Sequence, residues 1–142
     1  MDIKITAENF KRITDVLVFK PNDTSVKAMR LQEELERQGE LSSYYNDCYA
    51  RLGKYKLRME RQVKQVRAQT ELDFRTNRKK VEGIERMTDA TVKACVETDP
   101  EVCAAEDLLV EITWWYNQAS NYSLAMSQRL DIMRMLQREK DR

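Results

Sequence analysis

A long apolar seam runs through the middle of the chain. From Leu41 the seam positions advance by alternating steps of four and three residues. They are Leu41, Tyr45, Cys48, Leu52, Tyr55, Met59, Gln62 and Val66. A repeat of this kind is typical of helices that pack along a coiled-coil-type seam. Gly53 lies inside the seam and costs a helix about 1 kcal/mol relative to Ala, so we expect a kink or a close approach there.

The clearest helix start in the sequence is Asp99–Pro100–Glu101. Asp at the N-cap accepts hydrogen bonds from unpaired amides, Pro suits the first helical position, and Glu complements the helix dipole. No helix breaker follows, so the pattern predicts a last helix of about 40 residues and about 60 Å. Its apolar stripe comprises Ala105, Leu108, Leu109, Ile112, Trp115, Tyr116, Ala119, Tyr122, Met126, Leu130, Met133 and Leu136.

The stripe on the last helix is longer than a subunit of this size is expected to bury by itself. We therefore expect the helix to pack against other copies of the chain in a homo-oligomer. The residues expected to form that contact are Leu108, Leu109, Ile112, Tyr116, Ala119, Met126, Leu130, Met133 and Leu136.

Shorter elements are predicted near the amino terminus. Thr6 is expected to cap a first helix that ends near Phe19, because Pro21 disfavours helix at the residue before it. A residue in the range 23–25 is expected to cap a second helix, and Gly39 is expected to act as a soft break within the helical region. The apolar residues expected to share one face of the second helix are Ala28, Leu31 and Leu35.

Two further segments separate the long helices. Residues 76–87 contain Gly83 and a run of basic residues, and they predict a loop or a frayed region. A short helix is expected from Thr88 to Val96. The coarse order is therefore a set of helices with one loop between the seam helix and the short helix.

The composition agrees with an all-α fold of long helices. Charged residues make up 35% of the 142 residues, while Gly and Pro together contribute only five. A chain of this length predicts a single domain. We expect residues 1–80 to carry the amino-terminal helices with a basic block, and residues 81–142 to carry an acidic stretch and the long assembly helix.

Cysteine usage and hydropathy indicate the compartment. The three cysteines are odd in number and have no C-x-x-C spacing, which predicts reduced thiols in a cytoplasmic protein. The segment Met1–Asp2–Ile3–Lys4 does not lead into the apolar run of a signal peptide. No apolar run approaches the roughly 20 residues that a bilayer-spanning helix needs. We therefore expect no membrane contact.

Charge is distributed unevenly along the chain. Residues 51–80 contain eleven basic residues against three acidic ones, whereas residues 81–112 contain nine carboxylates against two basic residues. A dense row of Arg and Lys favours a phosphate-binding surface, and Phe74 beside Arg75 is the candidate for stacking on a base, since Tyr55 lies on the apolar seam. The candidate DNA-binding residues are Lys54, Arg58, Arg61, Lys64, Arg67, Phe74, Arg75, Arg78, Lys79 and Lys80. The alternative is an ordinary solvated face that is balanced by the acidic part of a neighbouring helix.

Catalytic chemistry is not expected. The chain has no histidine, which is the commonest general base and zinc ligand. No phosphate-binding glycine loop or nucleophile elbow appears, and adjacent carboxylates such as Glu33 and Glu34 point in different directions on a helix. We expect no enzyme activity, no cofactor and no metal site.

Several short motifs resemble the UvsY-type recombination mediator proteins of tailed phages. The basic helix carries the run Leu57–Gln62, with Leu72–Asp73–Phe74 downstream. The resemblance continues in the matching order over most of the chain, at Asp15–Phe19, Ser25, Thr91–Val92, Asp99–Val102, Trp114–Trp115 and Ser127–Arg129.

The resemblance implies a function that the residues alone do not establish. Such proteins are helical subunits of closed rings that bind single-stranded DNA without sequence preference. They bring a RecA-like recombinase onto strands covered by single-strand-binding protein, contact both proteins and carry no catalytic site. The family has paired basic residues before the L-D-aromatic run, where this chain reads Ala68–Gln69–Thr70–Glu71. The cations that flank this segment would therefore have to take that role.

Two other functions fit a helical and partly basic oligomer. One is a DNA-packaging ring of the small-terminase type or a scaffolding coiled coil. The other is a protein–protein adaptor in which the acidic residues 81–112 form the working surface. Binding to single strands, to duplex or to neither separates the three.

Overall fold

The structure, a computed structural model, describes residues 4–142 apart from the side chain of Ala28. These residues contain no strand, and their α-helices are α1 (Ala7–Thr14), α2 (Leu31–Arg75), α3 (Asp89–Thr98) and α4 (Pro100–Lys140). The predicted all-α class is confirmed. The expectation for Met1–Asp2–Ile3 lies outside the described residues, as does the predicted packing of Ala28. Within the described part, no helix is both long and apolar enough to cross a membrane.

The start of α4 follows the predicted capping chemistry, and α3, at Asp89–Thr98, lies close to the predicted range Thr88–Val96. Thr88 caps α3, because its Oγ1 accepts a hydrogen bond from the amide of Thr91 at 3.2 Å. Asp99 Oδ2 accepts from the amides of Glu101 at 3.1 Å and Val102 at 3.4 Å, and so caps α4. The predicted loop is confirmed, since no helix lies between Arg75 and Asp89. α4 is 41 residues long, which confirms the predicted length.

Helix α1 is shorter than predicted. Thr6 caps it, with Oγ1 accepting from the amide of Asn9 at 3.1 Å, but the helix ends at Thr14 and not near Phe19. Two tyrosines of α2 hold the segment that follows. The amide of Val18 donates to the hydroxyl of Tyr44 at 3.0 Å, and the amide of Lys20 donates to the hydroxyl of Tyr45 at 3.1 Å. These hydroxyls satisfy backbone amides that would otherwise need helical partners.

Helix α2 begins later than predicted, at Leu31, after the short 3₁₀ turns Pro21–Thr24 and Ala28–Arg30. The predicted caps bond backward instead of forward. The hydroxyl of Thr24 donates to the carbonyl of Pro21 at 2.7 Å, and that of Ser25 donates to the carbonyl of Asn22 at 2.9 Å. Side chains that bond a preceding carbonyl stabilise a local turn, which competes with the start of a helix. Gly39 does not break α2.

The chain divides into two compact units, and each unit contains segments from both halves of the sequence. Unit 1 comprises residues 1–11 and 55–113, and unit 2 comprises residues 12–54 and 114–142. Helices α2 and α4 contribute to both units. Residues far apart in sequence therefore pack together in each unit. That the whole chain forms one domain, with residues 1–80 and 81–142 as its two parts, stays a prediction.

Unit 1 has an apolar core between α2, α3 and the first turns of α4. Its central cluster consists of Phe74, Val92, Val96 and Val102, with Val66, Val81, Met87 and Cys95 packed against it. Met59 and Ile112 are fully buried in the same unit. Phe10 of α1 is buried as well, and its ring meets Tyr55 edge-on with centroids 6.5 Å apart. The predicted seam position of Tyr55 is thereby confirmed as part of the core side of α2.

Unit 2 combines an aromatic cluster with a buried ion pair. The ring of Tyr122 stacks on those of Phe19 and Tyr45, with centroids 5.1 and 5.0 Å away. Further along α4 the buried guanidinium of Arg129 forms a salt bridge with Glu34 and a hydrogen bond with Gln38. Gln38 also donates to the carbonyl of Met126 at 3.0 Å. The polar groups in this core are therefore paired with one another.

The apolar stripe of α4 faces the interior of the chain. Ile112, Ala119 and Met133 have no exposed surface, and Leu108 and Met126 are also buried. The other predicted assembly residues are half-buried, namely Leu109, Tyr116, Leu130 and Leu136. The premise that this stripe exceeds what one chain can bury is wrong, because α2 runs to 45 residues and supplies a seam of matching length. A side chain without exposed surface cannot contact a second copy.

Candidate nucleic-acid interface

One exposed face of α2 carries cations that have no carboxylate partner. Arg58, Arg61 and Lys64 of unit 1 are exposed, and none of the three makes a salt bridge with any residue in the range 4–142. Their spacing of three residues keeps them within one side of the helix. Lys54 belongs to unit 2, where it is also exposed and forms no salt bridge with those residues. The opposite side is apolar and buried, as at Met59 and Val63, so the cations stay in water.

Beside Arg58 and Arg61 lies a shallow groove of about 350 Å³, which we call the glutamine groove. It is lined by Lys4, Arg58, Arg61, Gln62, Gln65, Val66, Gln69 and Glu101. Three cations face one carboxylate there, so the groove has a net positive charge. The exposed amides of Gln65 and Gln69 add neutral hydrogen-bond donors. Such a lining suits the oxygens of a phosphodiester, apart from Glu101, which opposes an anion.

The amino-terminal segment is fastened to this groove through a single side chain. The amide of Ile5 donates to Gln62 Oε1, and Gln62 Nε2 donates to the carbonyl of Ile5, both at 2.8 Å. The side chain of Ile5 is buried below these bonds. The pair of hydrogen bonds holds the adjacent Lys4 at the wall of the glutamine groove.

Further along α2 the cations are paired with carboxylates of α3 and α4. Arg67 forms salt bridges with Glu97 and Glu106. Arg75 bonds Asp89 at 2.7 Å and Glu71 at 3.0 Å. The hydrogen bond that Arg67 donates to Glu97 is the largest influence on its pKa and raises it, and together with the bond to Glu106 it outweighs the opposing effect of burial. The hydrogen bonds that Arg75 donates to Asp89 and Glu71 likewise raise the pKa of Arg75. Both guanidinium groups therefore already have anionic partners within unit 1.

The loop after α2 contains one paired cation between two exposed ones. Lys79 Nζ lies 3.0 Å from the buried Oδ1 of Asp99, and this hydrogen bond raises the pKa of Lys79. Arg78 and Lys80 are exposed and form no salt bridge with any residue from 4 to 142. The loop begins at Asn77, whose φ of 59° lies in the left-handed region that Asn tolerates. Only part of the predicted basic block is thus available to a second molecule.

Phe74 is not a stacking platform. Its side chain is 6% exposed and belongs to the core cluster of unit 1. A ring packed on Val92 and Val96 has no open face for a base, so the sequence-based expectation is corrected. Phe74 lies four residues after the buried Thr70, on the apolar side of α2. The spacing of four residues from Thr70 indicates a core position for Phe74, although the adjacent Arg75 suggested an exposed one.

The exposed aromatic ring of α4 is Trp114 in unit 2. It is 54% exposed, whereas Trp115 packs within the aromatic cluster, 5.8 Å from Phe19. The two indoles meet edge-on with centroids 5.1 Å apart. Sequence analysis did not assign Trp114 to a surface, and it missed Lys4 and the Gln65–Gln69 pair. The sequence indicates the two glutamine amides by their spacing, because Arg61, Gln65 and Gln69 are four residues apart and so lie on one side of α2.

The fold and this face define an all-helical protein with a candidate polyanion-binding surface on its longest helix. No protein-family model matches the sequence, and no curated protein matches it either. Among solved structures, the chain is similar to the crystal structure of the recombination mediator protein UvsY of bacteriophage T4. The TM-score is 0.69 at 20% identity, over 84% of this chain and 92% of that chain. The likeness shows a shared fold, in agreement with the resemblance of the short motifs.

Proposed function

We propose that the protein is a non-enzymatic recombination mediator that binds single-stranded DNA without sequence preference. In this role it promotes loading of a RecA-like recombinase onto strands covered by single-strand-binding protein. The observation that carries the proposal is the row of exposed, unpaired cations on α2 beside the glutamine groove. The fold likeness to the T4 recombination mediator supports the assignment to recombination.

The proposed contacts are to phosphates. Arg58, Arg61 and Lys64 neutralise successive phosphates, and Lys4 contributes a further cation from the wall of the groove. Exposed Arg and Lys on a helix face contact the backbone and carry no base code, so binding is independent of sequence. The preference for single strands rests on the fold likeness, because Phe74 is buried and unit 1 offers no stacking ring beside these cations.

Oligonucleotide binding tests the proposal directly. Anisotropy of a labelled oligothymidine is measured across a salt series, with unlabelled duplex as competitor. Each phosphate contact to a single strand contributes about −0.7 to the slope of log K against log salt. Arg58→Gln combined with Arg61→Gln should therefore reduce the slope by about 1.4 and weaken binding. The matched control, Arg30→Gln with Arg138→Gln, removes two exposed charges from unit 2.

The outcomes separate the alternatives. Equal losses in both double variants would show a response to net charge alone and would contradict the assigned face. A preference for duplex would favour a packaging protein. No binding at about 50 mM salt, where electrostatic binding is strong, would favour an adaptor. Recombinase loading is tested by adding the protein to a RecA-like ATPase on strands covered by single-strand-binding protein, where the lag should shorten.

We also propose that the chain forms a closed homo-oligomer, with the outward face of α4 as the contact surface. Within unit 2 that face presents Trp114, Leu124, Ile132 and Met135, which are between 47% and 60% exposed. The spacing of these four residues places them on one side of α4. Isolated exposed apolar residues are ordinary, but four on one side of a helix mark an interaction surface.

Sedimentation velocity tests the assembly. Leu124→Glu combined with Met135→Glu should yield a smaller species while the helix content stays constant, since both side chains lie outside the core. Leu57→Glu is the control, because Leu57 and Leu124 are both 59% exposed. An unchanged assembly in the double variant would contradict the outward face as the contact.

A further inference from the structure

Carboxylates of α3 and α4 form salt bridges with two arginines of α2. Without these partners, the two arginines would extend the row of exposed cations on that helix. Arg67 follows Lys64 by three residues and is held by Glu97 and Glu106. Arg75 is held by Asp89 at 2.7 Å and by Glu71 of its own helix. Three of these four carboxylates come from outside α2. Within unit 1, carboxylates from the acidic residues 81–112 therefore form ion pairs with cations from the basic residues 51–80.

These ion pairs border a groove of about 580 Å³ between α2 and α3, which we call the ion-pair groove. Its charged lining consists of Lys64, Arg67, Glu71, Arg75, Asp89, Lys93 and Glu97. Four cations thus stand against three carboxylates. Lys64 and Lys93 are exposed and form no salt bridge with the described part of the chain. The groove continues the exposed row that begins at Arg58 and Arg61.

The ion pairs are accessible to water and hence weak. The side chain of Asp89 is 89% exposed and that of Arg75 is 45% exposed. Glu97 is 49% exposed and Arg67 is 34% exposed. Salt bridges between groups this exposed are weak, because water screens both charges. A phosphodiester held nearby can therefore replace either carboxylate at small cost.

We propose that Glu97 and Asp89 compete with DNA phosphates for Arg67 and Arg75, and so set an upper limit on the affinity and footprint of the α2 surface. The inference rests on the proposed function, since it concerns the regulation of that same surface. While both ion pairs are intact, the strand contacts Arg58, Arg61 and Lys64. The contact extends to Arg67 and Arg75 only where a phosphate displaces a carboxylate.

Carboxylates attached to the same chain have an advantage over a strand in solution. They are present at a high effective concentration, because α3 follows α2 after one loop. A strand already bound at Arg58 and Arg61 gains the same advantage, since its next phosphates are then held close to Arg67. The competition is therefore decided by local charge, and a single neutralised carboxylate shifts it toward the strand.

The experiment compares Glu97→Gln, Asp89→Asn and their combination with the wild type, using the same oligothymidine and salt series. Each substitution should leave its arginine with one carboxylate partner, Glu106 for Arg67 and Glu71 for Arg75, and steepen the slope of log K against log salt by up to about 0.7. The affinity at about 100 mM salt should rise several-fold in each single variant and further in the double variant. Glu82→Gln is the matched control, because Glu82 is an exposed loop carboxylate of unit 1 without a salt bridge to residues 4–142.

A second substitution tests whether the gain passes through the arginine. Arg67→Gln should change binding little in the wild type, because Arg67 is already paired there, but it should remove the gain in Glu97→Gln. Equal gains in Glu97→Gln and Glu82→Gln would overturn the inference, since net charge alone would then explain them. A full loss of binding in Arg67→Gln alone would overturn it too. Circular dichroism confirms that each variant is folded.

The proposed function can fail without the inference failing. If the wild type binds no oligonucleotide, the same variants are compared by the salt at which each elutes from immobilised heparin, a sulfated polyanion. Later elution of Glu97→Gln than of Glu82→Gln would then support competition at Arg67 although the nucleic-acid function is wrong. Identical elution of the two variants would overturn the inference.

Discussion

Asp99 takes part in two interactions that substitutions can separate. Its Oδ2 caps α4, while its Oδ1 accepts a hydrogen bond from Lys79 Nζ at 3.0 Å. The carboxylate is 5% exposed, so the bond to Lys79 is made largely away from water. An N-cap contributes about 1 kcal/mol, and a hydrogen bond between charged groups contributes about 1.5–3 kcal/mol. Asp99→Ala should therefore lower the free energy of unfolding by about 2.5–4 kcal/mol.

Asp99→Asn retains a capping oxygen and removes only the charge. We expect it to lose about 1–2 kcal/mol, because Asn caps helices as well as Asp does. Lys79→Gln should lose a similar amount, since it removes the same hydrogen-bonded pair from the other side. Urea titration followed by far-ultraviolet circular dichroism measures these differences. Every variant is compared at one protein concentration, because the proposed assembly would couple stability to concentration.

The pH dependence gives an independent check on the charge. Burial acts to raise the pKa of Asp99, but the hydrogen bonds from Lys79 and from the helix amides outweigh it, so the pKa lies below its usual range. A carboxyl of this kind stabilises the fold above its unfolded pKa of about 3.9 and loses that contribution as the pH falls through the folded value. The free energy of unfolding of the wild type should therefore exceed that of Asp99→Asn by the full amount at neutral pH. The difference should disappear as the pH falls below about 4.

Two results would refute this reasoning. An unchanged urea midpoint in Asp99→Ala would show that neither the cap nor the ion pair contributes to stability. A difference between the wild type and Asp99→Asn that persists undiminished at about pH 3 would show that the charge of the carboxylate is not its cause. The first result would also remove the reason for leaving Lys79 out of the phosphate-binding row.

Three further predictions concern other parts of the fold. Gly39→Ala should raise the free energy of unfolding by about 0.5–1 kcal/mol, because the added Cβ meets no atom within 4 Å. Gly83→Ala should lower it, because Gly83 has a φ of 86°. Urea titration measures both changes. Arg129→Met should destabilise the protein by about 3–5 kcal/mol in the same assay, since the buried Glu34 would lose its buried cation and keep only Arg37, which lies 3.8 Å away and is 51% exposed. Trp114→Phe should remove most of the acrylamide-quenchable fluorescence, because Trp114 is 54% exposed and the other indole is packed; quenching that persists would contradict this placement.

Local signals in the sequence predicted most of the helix boundaries. Asp99 caps α4 as expected, and α3 begins beside the predicted Thr88, because an N-cap depends only on the next three residues. The errors occurred where distant residues decide the outcome. The first helix ends early because hydroxyls of Tyr44 and Tyr45, more than twenty residues away, bond the amides that follow it.

The candidate site was predictable in its type but not in its extent. The density of Arg and Lys along α2 indicated a cationic face, and the exposed part of that face is present at Arg58 and Arg61. Which cations are paired depends on carboxylates such as Glu97 and Glu106, which lie 30 and 39 residues beyond Arg67. No spacing rule reaches across such a distance.

One missed feature had a signal in the sequence. Arg129 lies three residues after Met126 and four before Met133, both of which are buried, so it occupies a core position of α4. Glu34 and Gln38 follow Leu31 by three and seven residues and occupy the same kind of position on α2. Opposite charges at core positions of two helices indicate a buried pair, because neither group can be left alone in an apolar environment.

The composition of unit 2 has a consequence for the order of folding during synthesis. The ribosome releases residues 12–54 early, but their packing partners lie in residues 114–142, at the end of the sequence. Until that last segment emerges, Tyr45 and Leu52 lack the α4 side of their core, and Glu34 lacks Arg129 and has only the exposed Arg37 as a cation. Unit 1 can close first, since it needs only residues up to 113. A chain interrupted before its last segment would therefore expose the aromatic side chains of its first half to chaperones and proteases.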